Sequence, residues 1–140
     1  MGRCYGRPTV RVLIADDQRL FAQALRAALF EHDIDVVGIA EDGAETMRLV
    51  RELAPDVVVL DLAMPRATGF EVMEAMRAEG SRTRIAVLTG GESPGDRRRA
   101  AELGATAFLS KSQSLDEIVE SVRLVGALSG MTNGAALSDG

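Results

Sequence analysis

Short apolar runs recur along the chain at 10–15, 36–40, 57–60, 85–88 and 107–109, and each is followed by apolar residues returning at helical spacing. The first, third and fourth runs are almost unbroken and rich in β-branched residues, which predicts strands covered on both faces of a parallel sheet. Between the runs, apolar positions gather on single helical faces: Leu25, Ala28 and Leu29; Met47 and Val50; Val72, Met73 and Met76; Ile118, Val122 and Val125. Helix starts are legible as well. Asp42 with Glu45, Thr68 with Glu71 and Ser114 with Glu117 have capping-box spacing. Ser93-Pro94 followed by Asp96 offers an N-cap, a proline at the first helical position and an acid in the first turn. Gly80 and Gly104 stand where helices should stop. Five strand–helix units with no linker between them imply one parallel sheet with helices on both sides, and right-handed crossovers make it doubly wound.

The expected organisation is a flexible leader at 1–8, one domain at 9–128, and a tail or start of a linker at 129–140. The stretch from Gly126 onward is rich in Gly, Ser and Ala and is expected to fray. Hydrophobic residues make up 46% and charged residues 26% of the 140, a balance typical of soluble globular domains. No apolar run approaches the roughly 18 residues a bilayer requires. Arg3 and Arg7 precede no apolar stretch, so the N-terminus does not read as a signal peptide. Cys4 is the single cysteine and cannot form an internal disulfide, which makes the cytoplasm the default compartment. The net charge of −5 argues against a domain that grips nucleic acid by its phosphates. His32 has no second His or Cys with which to build a metal site, and reads as a helix-end or surface residue. Arg97, Arg98 and Arg99 read as a solvated face of the fourth helix.

In open α/β sheets, sites form beyond the carboxyl ends of the strands. The first strand ends in Asp16-Asp17, the third in Asp61 and the fourth in Thr89, and Lys111 follows the fifth. The second ends in Glu41-Asp42, which the capping box accounts for. Carboxylates on neighbouring strand ends repel: two unit charges ~4 Å apart cost about 4 kcal/mol at an effective dielectric of 20. Lys111 alone is too little counter-charge for three acids, and a hard divalent cation with oxygen ligands, Mg²⁺, fills the gap. A carboxylate can act as a nucleophile towards phosphorus. Phosphoryl transfer then needs the charge on the equatorial oxygens neutralised. This inventory suits it: Asp61 as acceptor, the metal on Asp17 and Asp61, and Lys111 and Thr89 on the phosphoryl oxygens. Gly90 leaves backbone room for the group to approach. Singly, each of these residues is an ordinary cap or turn former. Their agreement at the strand ends of one fold carries the argument.

Four segments resemble the response-regulator receiver family: V-L-I-A-D-D at 12–17, V-V-V-L-D-L-A-M-P at 57–65 with Gly69, V-L-T-G at 87–90 and A-F-L-S-K at 107–111. The resemblance implies a flavodoxin-like (βα)5 fold with strand order 2-1-3-4-5. It implies that Asp61 is phosphorylated by a sensor histidine kinase or a small phosphodonor. Asp17 and Asp61 would bind Mg²⁺ with the backbone carbonyl of Ala63, and Asp16 would hold a metal-bound water. Thr89 would move to grip the phosphoryl group, Lys111 would pair with it, and Phe108 would be the aromatic switch. Ser112 replaces the proline that often follows the lysine in a cis peptide; a cis bond without proline costs ~3 kcal/mol. Ser112 and the stretch Val36-Val37-Gly38 are similar to the LuxR/NarL type, whose members carry a C-terminal DNA-binding helix-turn-helix. The family tunes phosphoryl lifetime at the positions of Ala63 and Gly91, both small here.

The function implied is a phosphorylation-dependent switch that alters an output or dimer surface, as the regulatory domain of a transcriptional response regulator. It acts on no external substrate, and DNA is reached only through an output domain this chain does not contain. The alternative is a stand-alone receiver acting by protein–protein contacts. A haloacid-dehalogenase-like phosphatase would need an acid where Ala63 stands. An FMN module would need a phosphate loop in place of Asp16-Asp17-Gln18. A receiver-like module that is never phosphorylated would not need the complete acid, hydroxyl and lysine set.

Overall fold

Five strands, β1 (Arg11–Ala15), β2 (Asp35–Ala40), β3 (Val57–Asp61), β4 (Arg84–Thr89) and β5 (Ala107–Ser110), form one parallel sheet in the order β2-β1-β3-β4-β5. They alternate with helices α1 (Arg19–Glu31), α2 (Gly43–Leu53), α3 (Gly69–Ala78), α4 (Pro94–Glu102) and α5 (Leu115–Asp139). The computed structural model describes residues 9–139 except Pro65, Glu92 and Ser93, with side chains described to Leu128 and not at Pro94. The expected leader at 1–8, with Cys4, and the expected Ser93 cap lie outside the described residues. Among the described residues, no helix is long and apolar enough to cross a membrane.

The unbroken apolar runs are explained by alternation. Val12 and Ile14, Val57 and Val59, Ala86 and Leu88 face one side, packed against Leu25 and Leu29 of α1 and Ile118 and Val122 of α5. Leu13 and Ala15, Val58 and Leu60, Ile85 and Val87 face the other, against Met47 and Val50 of α2, Met73 and Met76 of α3 and Ala100 of α4. Since successive strand residues point to opposite faces, covering both faces requires apolar residues at every position.

The caps act much as their spacing predicts. Thr68–Glu71 and Ser114–Glu117 form reciprocal capping pairs. The Glu45 N–H donates to Asp42 at 2.8 Å, but the Glu45 carboxylate accepts from Glu41, one residue ahead of the cap. Gly80 and Gly104 carry φ of 71° and 100° just past α3 and α4, where only glycine is unstrained. Helix α5 runs through Gly126 to Asp139. Gly126 lets α5 press onto the start of the sheet, since a Cβ there would lie 2.6 Å from Val10 Cγ1.

Candidate functional site

The sheet ladder continues one residue past β1 and β5, and this fixes the rim. The Asp16 N–H donates to the Ala40 carbonyl at 2.9 Å, and the Lys111 N–H to the Thr89 carbonyl at 2.8 Å. Asp61 is the last residue of β3, in register with Leu88. Behind it, the loop into α3 is seated by close approaches. A Cβ on Gly69 would lie 2.8 Å from the Asp61 carbonyl oxygen, and one on Gly43 would overlap Ala67.

Asp16, Asp17 and Asp61 each present a carboxylate oxygen within 4.8 Å of the others. Asp16 and Asp61 are buried and Asp17 is exposed. Lys111 reaches across to them. Its Nζ donates to Asp16 Oδ1 at 3.1 Å, Asp61 Oδ2 at 3.2 Å and Gln18 Oε1 at 2.6 Å. Asp16 Oδ2 lies 2.9 Å from the same ammonium, yet among the described residues no donor is angled to hydrogen-bond it. Asp61 Oδ1 accepts the Ala63 N–H at 2.9 Å. Burial raises the Asp61 pKa and the Asp16 charge raises it further, against the opposing Ala63 N–H and Lys111 ammonium. Burial works against the charge of Lys111, but Asp16 and Asp61 outweigh it and hold its pKa above the ordinary lysine value.

Asp17, Asp61 and Lys111 border an open cleft of about 540 Å³ whose walls include Ala63, Thr89, Gly90 and Asp96. Thr89 is turned onto its own loop: its hydroxyl donates to the Gly91 carbonyl at 2.5 Å and accepts the Gly91 N–H at 3.2 Å. Phe108 does not border the cleft; it packs at the edge of the core under α4, with the Arg97 guanidinium 4.6 Å from its ring centre. Three carboxylates against one ammonium leave a formal excess of two negative charges. With an all-oxygen donor set and a buried carboxylate oxygen lacking a hydrogen bond, the cluster fits a hard divalent cation.

A family model for the response regulator receiver domain matches residues 12–123. The chain belongs to the response regulator receiver family. This receiver is 34% identical over 115 residues to the transcriptional regulatory protein YvfU of Bacillus subtilis, covering 81% of this chain and 58% of that protein. It is 37% identical over 114 residues to the response regulator MprA of a Mycobacterium species, covering 81% of this chain and 49% of that protein. It thus spans about half the length of these relatives. The solved receiver domain of the NarL response regulator from Mycobacterium tuberculosis superposes with a TM-score of 0.82 at 34% identity, covering 86% of this chain and 98% of that one.

The receiver's structure brings together Asp16, Asp17, Asp61 and Lys111, and sets Ala63, Thr89 and Gly90 on the cleft wall. Among the described residues no peptide bond is cis, Lys111–Ser112 included. One contact went unread in the sequence. Gln18 makes the shortest hydrogen bond to Lys111, and nothing in its sequence setting distinguishes it from an ordinary residue before a helix.

Proposed function

We propose that this receiver takes a phosphoryl group onto Asp61 and uses it as a switch. The observation that carries the reading is the Lys111 ammonium shared between Asp16 and Asp61 at the carboxyl edge of the sheet. It supplies a nucleophilic carboxylate with a cation beside the position the transferred oxygens must occupy. An Asp61 carboxylate oxygen attacks phosphorus, the bond to the donor's nitrogen or acyl oxygen breaks, and the leaving group departs with the electron pair. Lys111 already donates to Asp61 and is placed to follow the charge onto the phosphoryl oxygens.

Asp17, Asp61 and the Ala63 carbonyl would hold Mg²⁺, with Asp16 acting through a water. When bound, the ion offsets the acidic excess and the negative charge of the incoming group. Thr89 is the hydroxyl that would turn from Gly91 to the phosphoryl group, and Gly90 the opening through which it is reached. Phe108 is the residue whose packing would report that movement. The partner implied is a sensor histidine kinase, the compartment the cytoplasm, and the chemistry limited to the domain's own phosphorylation and dephosphorylation. Output follows through homodimerisation or an attached DNA-binding domain, as in a transcriptional regulator, or through protein contacts alone.

Incubation with radiolabelled acetyl phosphate and Mg²⁺ tests the reading. The parent chain takes up label and Asp61→Asn takes up none. Equal labelling of the two would refute the assignment.

A further inference from the structure

We infer that Gln18 is a positioning residue for Lys111, a neutral tether that keeps one ammonium N–H aimed at Asp61 and, on transfer, at the phosphoryl oxygens. The inference rests on the proposed role of Asp61 as acceptor. An ammonium has three donors and no acceptor. Here three oxygens accept hydrogen bonds from it, Gln18 Oε1 at 2.6 Å, Asp16 Oδ1 at 3.1 Å and Asp61 Oδ2 at 3.2 Å, while Asp16 Oδ2 adds an ion-pair contact at 2.9 Å. Only the third oxygen belongs to the group that reacts. The other two bonds can persist while Asp61 exchanges a carboxylate for an acyl phosphate, so the third N–H keeps its direction. The Phe21 ring, 5.0 Å from Nζ, closes another side of the ammonium.

Gln18 is itself held for this task. Its backbone N–H donates to Asp16 Oδ1 at 2.8 Å. It occupies the N-cap of α1 in extended conformation, yet its side chain makes no capping bond and reaches Lys111 instead. Neutrality matters. An acid in its place would strengthen the hold on Lys111 but add a fourth negative charge beside an incoming anion. Water alone would fill the bond without fixing its direction. Because Gln18 is exposed, solvent competes for the contact, and its loss should cost several-fold rather than orders of magnitude.

The test compares the parent chain with Gln18→Ala and Gln18→Glu. It measures Mg²⁺ affinity, beryllofluoride affinity at saturating Mg²⁺, the labelling rate with acetyl phosphate, and the ¹⁵N signal of the Lys111 ammonium at low temperature. Gln18→Ala should leave Mg²⁺ affinity within about twofold, weaken beryllofluoride and slow labelling by roughly fivefold, and broaden the ammonium signal. Gln18→Glu should tighten Mg²⁺ while weakening beryllofluoride. Unchanged beryllofluoride binding in Gln18→Ala overturns the inference. So does an equal loss of Mg²⁺ and beryllofluoride binding together with thermal stability, which would make Gln18 a folding residue. A parent chain that takes up no label marks failure of the Asp61 reading instead, which no Gln18 variant can produce.

Discussion

The Arg97 guanidinium lies over the Phe108 ring, 4.6 Å from its centre, and so ties α4 to β5. Two residues on, Arg99 lies over Phe70 at 4.5 Å and pairs with Glu74 at 3.5 Å, tying the same helix to α3. The basic run is therefore more than a solvated face. Its first and last members brace α4 against its neighbours on the side of the cleft where Thr89 sits. Phe108, the expected switch residue, is held by a contact that any inward turn of its ring must break.

Arg97→Ala should free that ring. A partly exposed cation–π contact is worth about 1 kcal/mol, so the melting temperature should fall by roughly 4 °C. Arg97→Lys should recover part of the loss. Aromatic NMR signals of Phe108 should shift towards those of the beryllofluoride-bound domain in Arg97→Ala; unchanged ring signals would show that Arg97 does not restrain it.

Asp61 makes the resting fold less stable than it need be. Its folded-state pKa lies above the unfolded value, chiefly through burial. Between the two values the folded state binds more protons, so stability falls as pH rises through the folded-state pKa. Asp61→Asn removes that dependence. In a metal chelator its melting temperature should exceed the parent's by a few degrees at pH 7, and the gap should close in acid. Lys111 behaves oppositely to an acid held low: its raised pKa gives a contribution present at neutral pH and lost only as pH rises past the ordinary lysine value of 10.5 and through the folded-state pKa. A constant gap between Asp61→Asn and parent across pH would contradict this account.

Mg²⁺ should relieve the same repulsion. At ten times its Kd it should stabilise the domain by ~1.4 kcal/mol, read as a rise in melting temperature. Asp17→Asn should abolish most of that rise while leaving the metal-free melting temperature little changed, because Asp17 is exposed where Asp16 and Asp61 are buried. The chain has no Trp and one Tyr, Tyr5, so calorimetry or NMR suits this titration better than intrinsic fluorescence. A full Mg²⁺ response in Asp17→Asn would remove Asp17 from the metal site.

The fold was legible because its signals are local and repeated. Two-faced burial leaves runs such as Val57–Leu60, and the Thr68–Glu71 and Ser114–Glu117 caps are written at fixed spacing. The acids and Lys111 were legible because polar residues directly after apolar strands must lie on one rim. What the sequence hid depends on approach between distant segments. Gly126 reads as the start of a Gly-, Ser- and Ala-rich tail, and only the structure shows Val10 against it. Gln18 reads as an ordinary residue until Lys111, 93 positions away, arrives at its amide. The arginine run reads as solvated until Phe70 and Phe108 are found beneath it.

Thr89 borders the cleft and pairs with Ser110 of β5, and in the proposed switch its present hydrogen bonds are what activation would undo. Its hydroxyl both donates to and accepts from Gly91, closing a tight turn at the mouth of the cleft. To serve the phosphoryl group as proposed, it would have to release that turn. Thr89→Ala should lose both bonds, destabilising the resting domain by about 1–2 kcal/mol, or roughly 4–8 °C. It should still take up label, since Asp61 and Lys111 are untouched. Addition of beryllofluoride, however, should no longer shift backbone amide signals across residues 95–102 of α4 and Ala107–Ser110. Thr89→Ser keeps the hydroxyl and should restore those shifts. If Thr89→Ala transmits the full set of shifts, the coupling runs through another residue, and the hydroxyl serves only the turn it now closes.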